Sequence, residues 1–343
     1  MGIKVKDLAK MLGVSPATVS LALNNKAGIS QATRQRIFDK LSELGYSDRI
    51  PIPAAENPLN IRLVIYKKHG LVVSDTHFFS QVIEGINLAA RRYGYNLLVT
   101  YLTGQDSREE QRRLASLAPC SGVILLATEL EAGDLSPFLE LDIPIVLLDS
   151  YFETVDADCI VINNAQGAAE AVRHLLEKGH REIGYLHSSA HINNFRERRE
   201  GMESALHAAG LELTEKMIFP VEPSVEGARR SLAKLLEAPD RLPTAFFADN
   251  DLIAIGAAQA FRDVGLRIPE DISLIGFDDM PIAEIMEPPL STIHVPKQRL
   301  GMLAVYRLVS CINGETDESV KIEVRTRLTA RGSVSSRRGI GGE

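Results

Sequence analysis

Apolar residues in the first fifty positions recur at helical spacing. Val5, Leu8, Ala9 and Leu12 fall at i, i+3, i+4 and i+7, which predicts a short amphipathic helix over about residues 4–12, stopped by Gly13. Ser15 is a good N-cap, and Pro16 suits the first helical position, where its missing N–H costs nothing; a second helix then runs to about Leu23. After a loop over 24–28, Ser30 caps a third helix with Ile37, Leu41 and Leu44 on its apolar face and Gly45 as its stop. Two short helices joined by a tight turn containing Gly form a helix-turn-helix, here within a three-helix unit.

From residue 59 the period changes. Strand-length apolar runs at 61–66, 97–101, 122–127, 145–148, 160–162, 183–186, 244–248 and 272–277 alternate with helical patterns at 79–90, 107–117, 165–177, 197–209, 225–236 and 251–264. Strands separated by helices of this length imply parallel sheets with helices on both faces. The series restarts near residue 160, which implies two lobes. The fold class is therefore α/β: a small all-α headpiece followed by a two-lobed domain with parallel sheets.

Charge sharpens this division. Residues 1–50 hold eight Lys/Arg against four Asp/Glu, or +4, while the whole chain of 343 residues is −7, so the remainder is −11. A basic head on an acidic body places a polyanionic partner at the head. Hydrophobic residues are 45% and charged residues 24%, ordinary for a globular chain. No apolar run approaches the ~18–20 residues that span a bilayer. The N-terminus lacks the apolar core of a signal peptide, so the expected location is cytoplasmic. Three cysteines, Cys120, Cys159 and Cys311, are far apart and form no Cys-x-x-Cys pair, which points away from a disulfide framework or a zinc site.

The second helix carries the first candidate chemistry. Val19 and Leu23, four apart, point into the small core, leaving Pro16, Ala17, Ser20 and Leu21 on the opposite, exposed side. Small residues and hydroxyls near a helix N-terminus suit close approach to base edges in a major groove. The competing reading is local: Ser15 and Thr18 cap the helix and Leu21 packs on a neighbour.

In the large domain, polar residues stand where strands end. Asp149 closes the strand at 145–148, Asn250 and Asp251 follow 244–248, Asp278 and Asp279 follow 274–277, and Arg198 lies at the start of the helix after 183–186. Ligands of open α/β sheets bind outside the carboxyl ends of the strands. Carboxylates, an amide and a guanidinium in one cleft suit a polyol, and Phe78 or Phe79 offers an apolar face for stacking. Helix capping is the plainer role for Asn250 and Asp251 taken singly. No G-x-G-x-x-G, Walker A, H-E-x-x-H or G-x-S-x-G motif occurs, and His187 and His191 follow a strand rather than share a metal-binding helix. No catalytic residue, metal ligand or cofactor is therefore assigned. Two rivals stay open at this point: a cytoplasmic sugar-binding protein, or a carbohydrate-active enzyme using Asp149 and Asp278.

Residues 5–24, Val-Lys-Asp-Leu-Ala-Lys-Met-Leu-Gly-Val-Ser-Pro-Ala-Thr-Val-Ser-Leu-Ala-Leu-Asn, resemble the opening signature of the LacI/GalR family of transcription regulators, as do 29–36 and 44–46. The likeness continues through Phe78-Phe79, the stretch 174–183, Arg198-Arg199-Glu200-Gly201, Asn250-Asp251, 268–279 and Arg331-Gly332-Ser333. It implies a DNA-binding headpiece at 1–47 and an effector-binding and dimerisation domain at 60–334, similar to periplasmic sugar-binding proteins. Lobe 1 would be about 60–161 plus 293–325, and lobe 2 about 162–292 plus 326–334, joined by three crossovers. By the same likeness Ser15, Pro16, Ala17, Thr18, Ser20 and Leu21 face DNA, with Asn24 and Thr33 near phosphates. Phe79, Asp149, Arg198, Asn250 and Asp278 line the effector cleft. The implied partners are duplex operator DNA, a carbohydrate-like effector and a second copy of the chain.

Three departures qualify the likeness. Leu21 stands where many members carry a basic residue. Pro51, Pro53 and Pro58 interrupt the linker at 48–59, so no regular hinge helix is expected. Glu222 stands with Pro223 where sugar-sensing members place a stacking aromatic, which assigns Glu222 to the cleft as a polar contact. The stretch 335–343 is expected to be a flexible tail.

Overall fold

A computed structural model describes residues 5–23, 28–43, 59–73, 77–116, 120–237, 242–315 and 318–337. Helices α1 (Val5–Leu12), α2 (Pro16–Leu23) and α3 (Gln31–Glu43) form the headpiece. Its core is Leu8, Ala9, Val19, Ala22, Ile37, Phe38 and Leu41. Ser15 Oγ accepts the Thr18 N–H at 3.0 Å, and Ser30 Oγ accepts the Thr33 N–H at 3.1 Å, so both caps form where the sequence places them. Arg34 Nη1 donates to the carbonyl of Ala22 at 3.2 Å, tying α3 to the end of α2. Ala22 rather than Leu23 is the second fully buried residue of α2; Leu23 packs at the edge of the core.

Beyond residue 59 the elements in chain order are β1 (Leu59–Lys67), α4 (His77–Arg92), β2 (Tyr95–Thr103), α5 (Arg108–Ser116), β3 (Gly122–Leu126), α6 (Ser136–Leu139), β4 (Ile145–Leu148) and β5 (Asp158–Ile162). A second series follows: α7 (Asn164–Glu177), β6 (Ile183–Ser188), α8 (Asn193–Ala208), β7 (Ile218–Val221), α9 (Val225–Leu235), β8 (Ala245–Ala248), α10 (Asp251–Asp263), β9 (Ser273–Ile275) and α11 (Pro281–Ile285). The last elements are β10 (Thr292–His294), α12 (Lys297–Ile312), β11 (Lys321–Val324) and β12 (Arg327–Thr329).

Two parallel sheets result. The first has strand order β11-β5-β4-β3-β1-β2 and the second β7-β6-β8-β9. The antiparallel pair β10–β12 lies where the chain passes between them. Alternation along the strands feeds both faces of the first sheet: Leu63, Ile65, Ile124 and Leu126 pack toward α4 and α12, while Val64, Tyr66, Val123 and Leu125 pack toward Phe138 of α6. In the second sheet Tyr185 and Phe247 face α7 and α8, and Leu186, Phe246 and Ala248 face α9 and α10.

α4 and α12 approach closely because each offers a glycine. A Cβ on Gly85 would lie 2.0 Å from the Gln298 carbonyl, and one on Gly301 would lie 2.2 Å from that of Val82. This contact sets the start of α4, and with it Phe78 and Phe79, against the strand ends.

The chain end corrects one expectation. Residues 335–337 are held, not loose: His180 Nε2 bonds the Ser335 carbonyl at 3.0 Å, Ser335 Oγ donates to the Pro269 carbonyl at 3.0 Å, and the Arg337 N–H reaches the Lys178 carbonyl at 2.8 Å. The physical reason is pairing at the sheet edge: the Leu274 N–H donates to the Ser333 carbonyl at 2.9 Å, which carries the chain along β9. Residues 338–343, and the linker up to 58 with its expected lack of a hinge helix, lie outside the described residues.

Candidate functional site

The carboxyl ends of both parallel sheets face one cavity. Phe78 and Phe79 enter it from the first turn of α4, Thr128 from beyond β3, and Asp149 from the end of β4. From the second sheet come Asn194, Phe195 and Arg198 of α8, Asn250 at the start of α10, and Asp278 beyond β9. Five of the six sequence-assigned cleft residues, Phe79, Asp149, Arg198, Asn250 and Asp278, are therefore brought together.

Glu222 is the sixth and does not line the cavity. Its carboxylate lies at the surface, 2.7 Å from Nη2 of Arg230, with both side chains about half exposed. Ser224 caps α9 through the Gly227 N–H at 3.0 Å, and the turn before it points Pro223 inward in place of Glu222. A proline can supply an apolar wall there but no hydrogen bond.

Asp149 is 2% exposed and sits in the left-handed region with φ 68°. Asp278 and Asp279 are also left-handed, with φ 106° and 53°. Backbone strain of this kind costs on the order of 1–3 kcal/mol per residue and concentrates at ligand sites. Asp149 accepts Thr128 Oγ1 at 2.7 Å and Asn194 Nδ2 at 3.0 Å. Burial pushes its carboxyl up to about 6, against the opposing pull of those two donors and Arg198.

Arg198, 3% exposed, connects the second sheet's strand ends. Nε donates to Asn164 Oδ1 at 3.0 Å, Nη1 to the Asp249 carbonyl, and Nη2 to Asp278 Oδ1 at 3.3 Å. Its guanidinium lies 3.7 Å from the Phe277 ring centroid, a cation–π contact. Burial raises the Asp278 carboxyl, while Arg198 and Lys297 hold the rise back.

Asn250 does cap α10, accepting the Ile253 N–H at 2.9 Å, and it also lines the cavity. Asp251 is fully buried and structural: it accepts the Met280 N–H at 2.7 Å and Thr292 Oγ1 at 2.6 Å. Burial, reinforced by Asp278, pushes its carboxyl up to about 8.

Several participants escape sequence reasoning. Asn194 stands four residues before Arg198, one helical turn away on the same face, and that spacing was the available signal. Thr128 follows a buried strand just as Asp149 does. Lys297 opens α12, where Nζ donates to the carbonyls of Asp278, Asp279 and Val295, and no local pattern marks it. His187 is held by Asp249 through Nδ1 at 2.8 Å, while His191 is exposed, so the two do not form a pair. Among the described residues no group of three or more His, Cys, Asp or Glu could hold a metal, and no helix is long and apolar enough to cross a membrane.

On the headpiece, Ser15, Pro16, Ala17 and Ser20 are exposed, while Thr18, Leu21 and Thr33 are half-buried. Ser15 Oγ and Thr18 Oγ1 lie 2.8 Å apart, as do Ser30 Oγ and Thr33 Oγ1, so these hydroxyls pair with one another at the helix caps. Leu21 packs near Gly28, whose added Cβ would lie 3.6 Å from Leu21 Cδ1. Asn24 lies outside the described residues.

Comparison with known proteins covers the same two parts. Residues 4–48 match the description of bacterial regulatory proteins of the lacI family, and residues 172–334 match a periplasmic binding protein-like domain. The chain is 32% identical over 337 residues to the ribose operon repressor of Haemophilus influenzae, across 97% of this chain and 98% of that one. It is 32% identical over 336 residues to the HTH-type transcriptional repressor PurR of Mannheimia succiniciproducens, across 96% and 98%. Among solved structures, the transcriptional regulator CelR–cellobiose complex matches with a TM-score of 0.72 at 27% identity, across 97% of this chain and 100% of that one. Its helical headpiece, its two parallel sheets and this full-length likeness show that the chain belongs to the lacI family of DNA-binding transcription regulators.

Proposed function

We propose that this chain is a cytoplasmic repressor whose operator affinity is set by a small carbohydrate-like effector held between the two sheets. One observation carries the reading: Asp149 from the first sheet and Arg198, Asn250 and Asp278 from the second converge on one cavity beside Phe79. Two carboxylates and an amide can accept from and donate to neighbouring hydroxyls, and the Phe78–Phe79 pair can cover the ring's apolar face. The set is read as a binding site, in keeping with relatives named as transcriptional repressors.

The cavity has a volume of about 40 Å³. Effector binding is expected to change how the two lobes close, which would supply the differential contact that coupling to DNA requires. The lobes are taken as about 60–161 plus 293–325 and 162–292 plus 326–334, after a headpiece at 1–47.

Homodimerisation is part of the proposal. Leu88, Val99 and Tyr101 on α4 and β2, with Ile282 and Ile285 on α11, leave large apolar side chains exposed, Ile285 to 78%. A second copy covering these would present two headpieces to a roughly palindromic operator. The sugar part of the reading is tested by a thermal-shift screen of the full chain against monosaccharides, disaccharides, sugar phosphates and nucleosides. A ligand of the folded state raises the melting temperature. A shift with one sugar class supports the reading; a shift with nucleosides alone overturns the carbohydrate assignment.

A further inference from the structure

Beside Thr128 stands a residue that builds one wall of the cavity without touching it. The Glu129 side chain is fully buried, 0% exposed. Its Oε2 accepts the N–H groups of His69 and Gly70 at 3.1 and 2.8 Å. Its Oε1 accepts those of Val72 and Val73, both at 2.8 Å. The remaining N–H of this loop, that of Leu71, goes to His69 Nδ1 at 3.2 Å. One carboxylate thus takes four of five consecutive backbone donors in a segment that belongs to neither helix nor strand. Burial raises its pKa, but the four donors outweigh that and hold the carboxyl below the usual glutamate range.

The loop has a cavity side and a core side. Val72 lines the cavity and Val73 is buried. Lys68, at the loop's start, pairs with Asp134 at 2.9 Å and Glu131 at 3.1 Å, so the whole of 68–73 is fastened to the segment that follows β3. Thr128, one residue before Glu129, holds Asp149. Consecutive residues therefore fix the polar floor and the apolar front of the same cavity.

We propose that Glu129 is a positioning residue for effector recognition: it holds the 69–73 loop as the front wall of the cavity, and so sets effector affinity without contacting the effector. This rests on the reading that the cavity takes the effector. A glutamine at 129 keeps the shape but replaces one accepting oxygen by an NH2 group, so two loop N–H groups lose their partner.

The test compares full-length wild type with Glu129→Gln by backbone hydrogen exchange and by calorimetry with D-ribose and cellobiose. Exchange in 69–73 should be at least tenfold faster in the variant, with β1, β3 and α4 unchanged. The Kd for whichever sugar binds the wild type should weaken at least fivefold, while DNA affinity without sugar is kept. Unchanged exchange in the loop overturns the proposal. Fast exchange spreading into β1 and β3 also overturns it, because Glu129 is then a residue of general stability. A faster loop with an unchanged sugar Kd removes the role in recognition. If neither sugar binds the wild type, the calorimetry uses the ligand found by the thermal-shift screen, and an unchanged Kd for that ligand in a variant with a faster loop overturns the role in recognition.

Discussion

Asn194 Nδ2 donates to Asp149 Oδ1 at 3.0 Å, joining the start of α8 to the end of β4, and so one sheet to the other. Asn193 beside it reaches Ser150 Oγ at 3.0 Å and the Tyr151 carbonyl at 2.8 Å. Asn194→Ala removes a donor that favours the ionised Asp149. Effector affinity should fall about tenfold, about 1.4 kcal/mol, read by calorimetry with the effector found by screening. Unchanged affinity would show that the amide serves lobe contact alone.

Asp149, with its carboxyl raised to about 6 by burial, should make effector binding pH-dependent. A ligand hydroxyl donates more strongly to the carboxylate than to the neutral acid, so affinity should be greatest at pH 8 and fall below pH 6. Asp149→Asn should abolish this dependence along with most of the affinity.

Asp251 gives a separate pH effect on stability. Its carboxyl is raised from 3.8 to about 8 in the folded chain by burial and by Asp278. The folded state holds that proton more tightly than the unfolded one. The contribution is therefore fully present below pH 3.8 and is lost as pH rises through 8. The local slope is at most about 1.4 kcal/mol per pH unit. Urea unfolding at pH 5, 7 and 9 should show the decline, and Asp251→Asn should flatten it.

Ser20, exposed on α2, tests the headpiece without disturbing its core. Ser20→Glu places a negative charge on the face assigned to DNA and should weaken operator binding at least tenfold, with effector binding and melting temperature unchanged. Ser15→Ala instead removes a cap and should cost about 1 kcal/mol of headpiece stability. Deleting residues 1–47 should abolish DNA affinity and spare effector binding.

Ile285 tests the dimer. Sedimentation of the wild type should give about twice the chain mass of 37.6 kDa. Ile285→Asp should shift the equilibrium toward the monomer and weaken operator binding in parallel. A wild-type monomer at micromolar concentration would count against the dimer.

Much of the fold is legible because apolar alternation survives wherever a strand has one distinct environment per face. Leu63 and Val64 point to different cores, and both sets are apolar, so the strands read as continuous runs. α12 is not among the helices the spacing predicts. Its buried stripe, Leu300, Gly301, Ala304, Val305, Leu308 and Val309, is flanked by the half-buried Met302, Leu303 and Tyr306, so apolar residues occupy much of its circumference and blur the period. Asp149, Asn250 and Asp278 are legible because strand ends mark them. Glu222 misleads because the direction of a side chain in a turn follows from backbone geometry and a nearby partner, here Arg230, which no spacing reveals. Glu129 stays hidden for a similar reason: it acts through residues far away in the chain, the loop at 69–73.

The most direct test of the central claim is fluorescence anisotropy of the full chain on an operator duplex selected from a random library, at one fixed salt concentration, with and without the screened effector. A coupled regulator should show sequence-selective binding and at least a tenfold change in Kd on adding the effector, lost in Arg198→Ala, whose guanidinium joins Asp278 to the rest of the site. An identical Kd with and without an effector that demonstrably binds, or no preference for the selected duplex over competitor DNA, would contradict it.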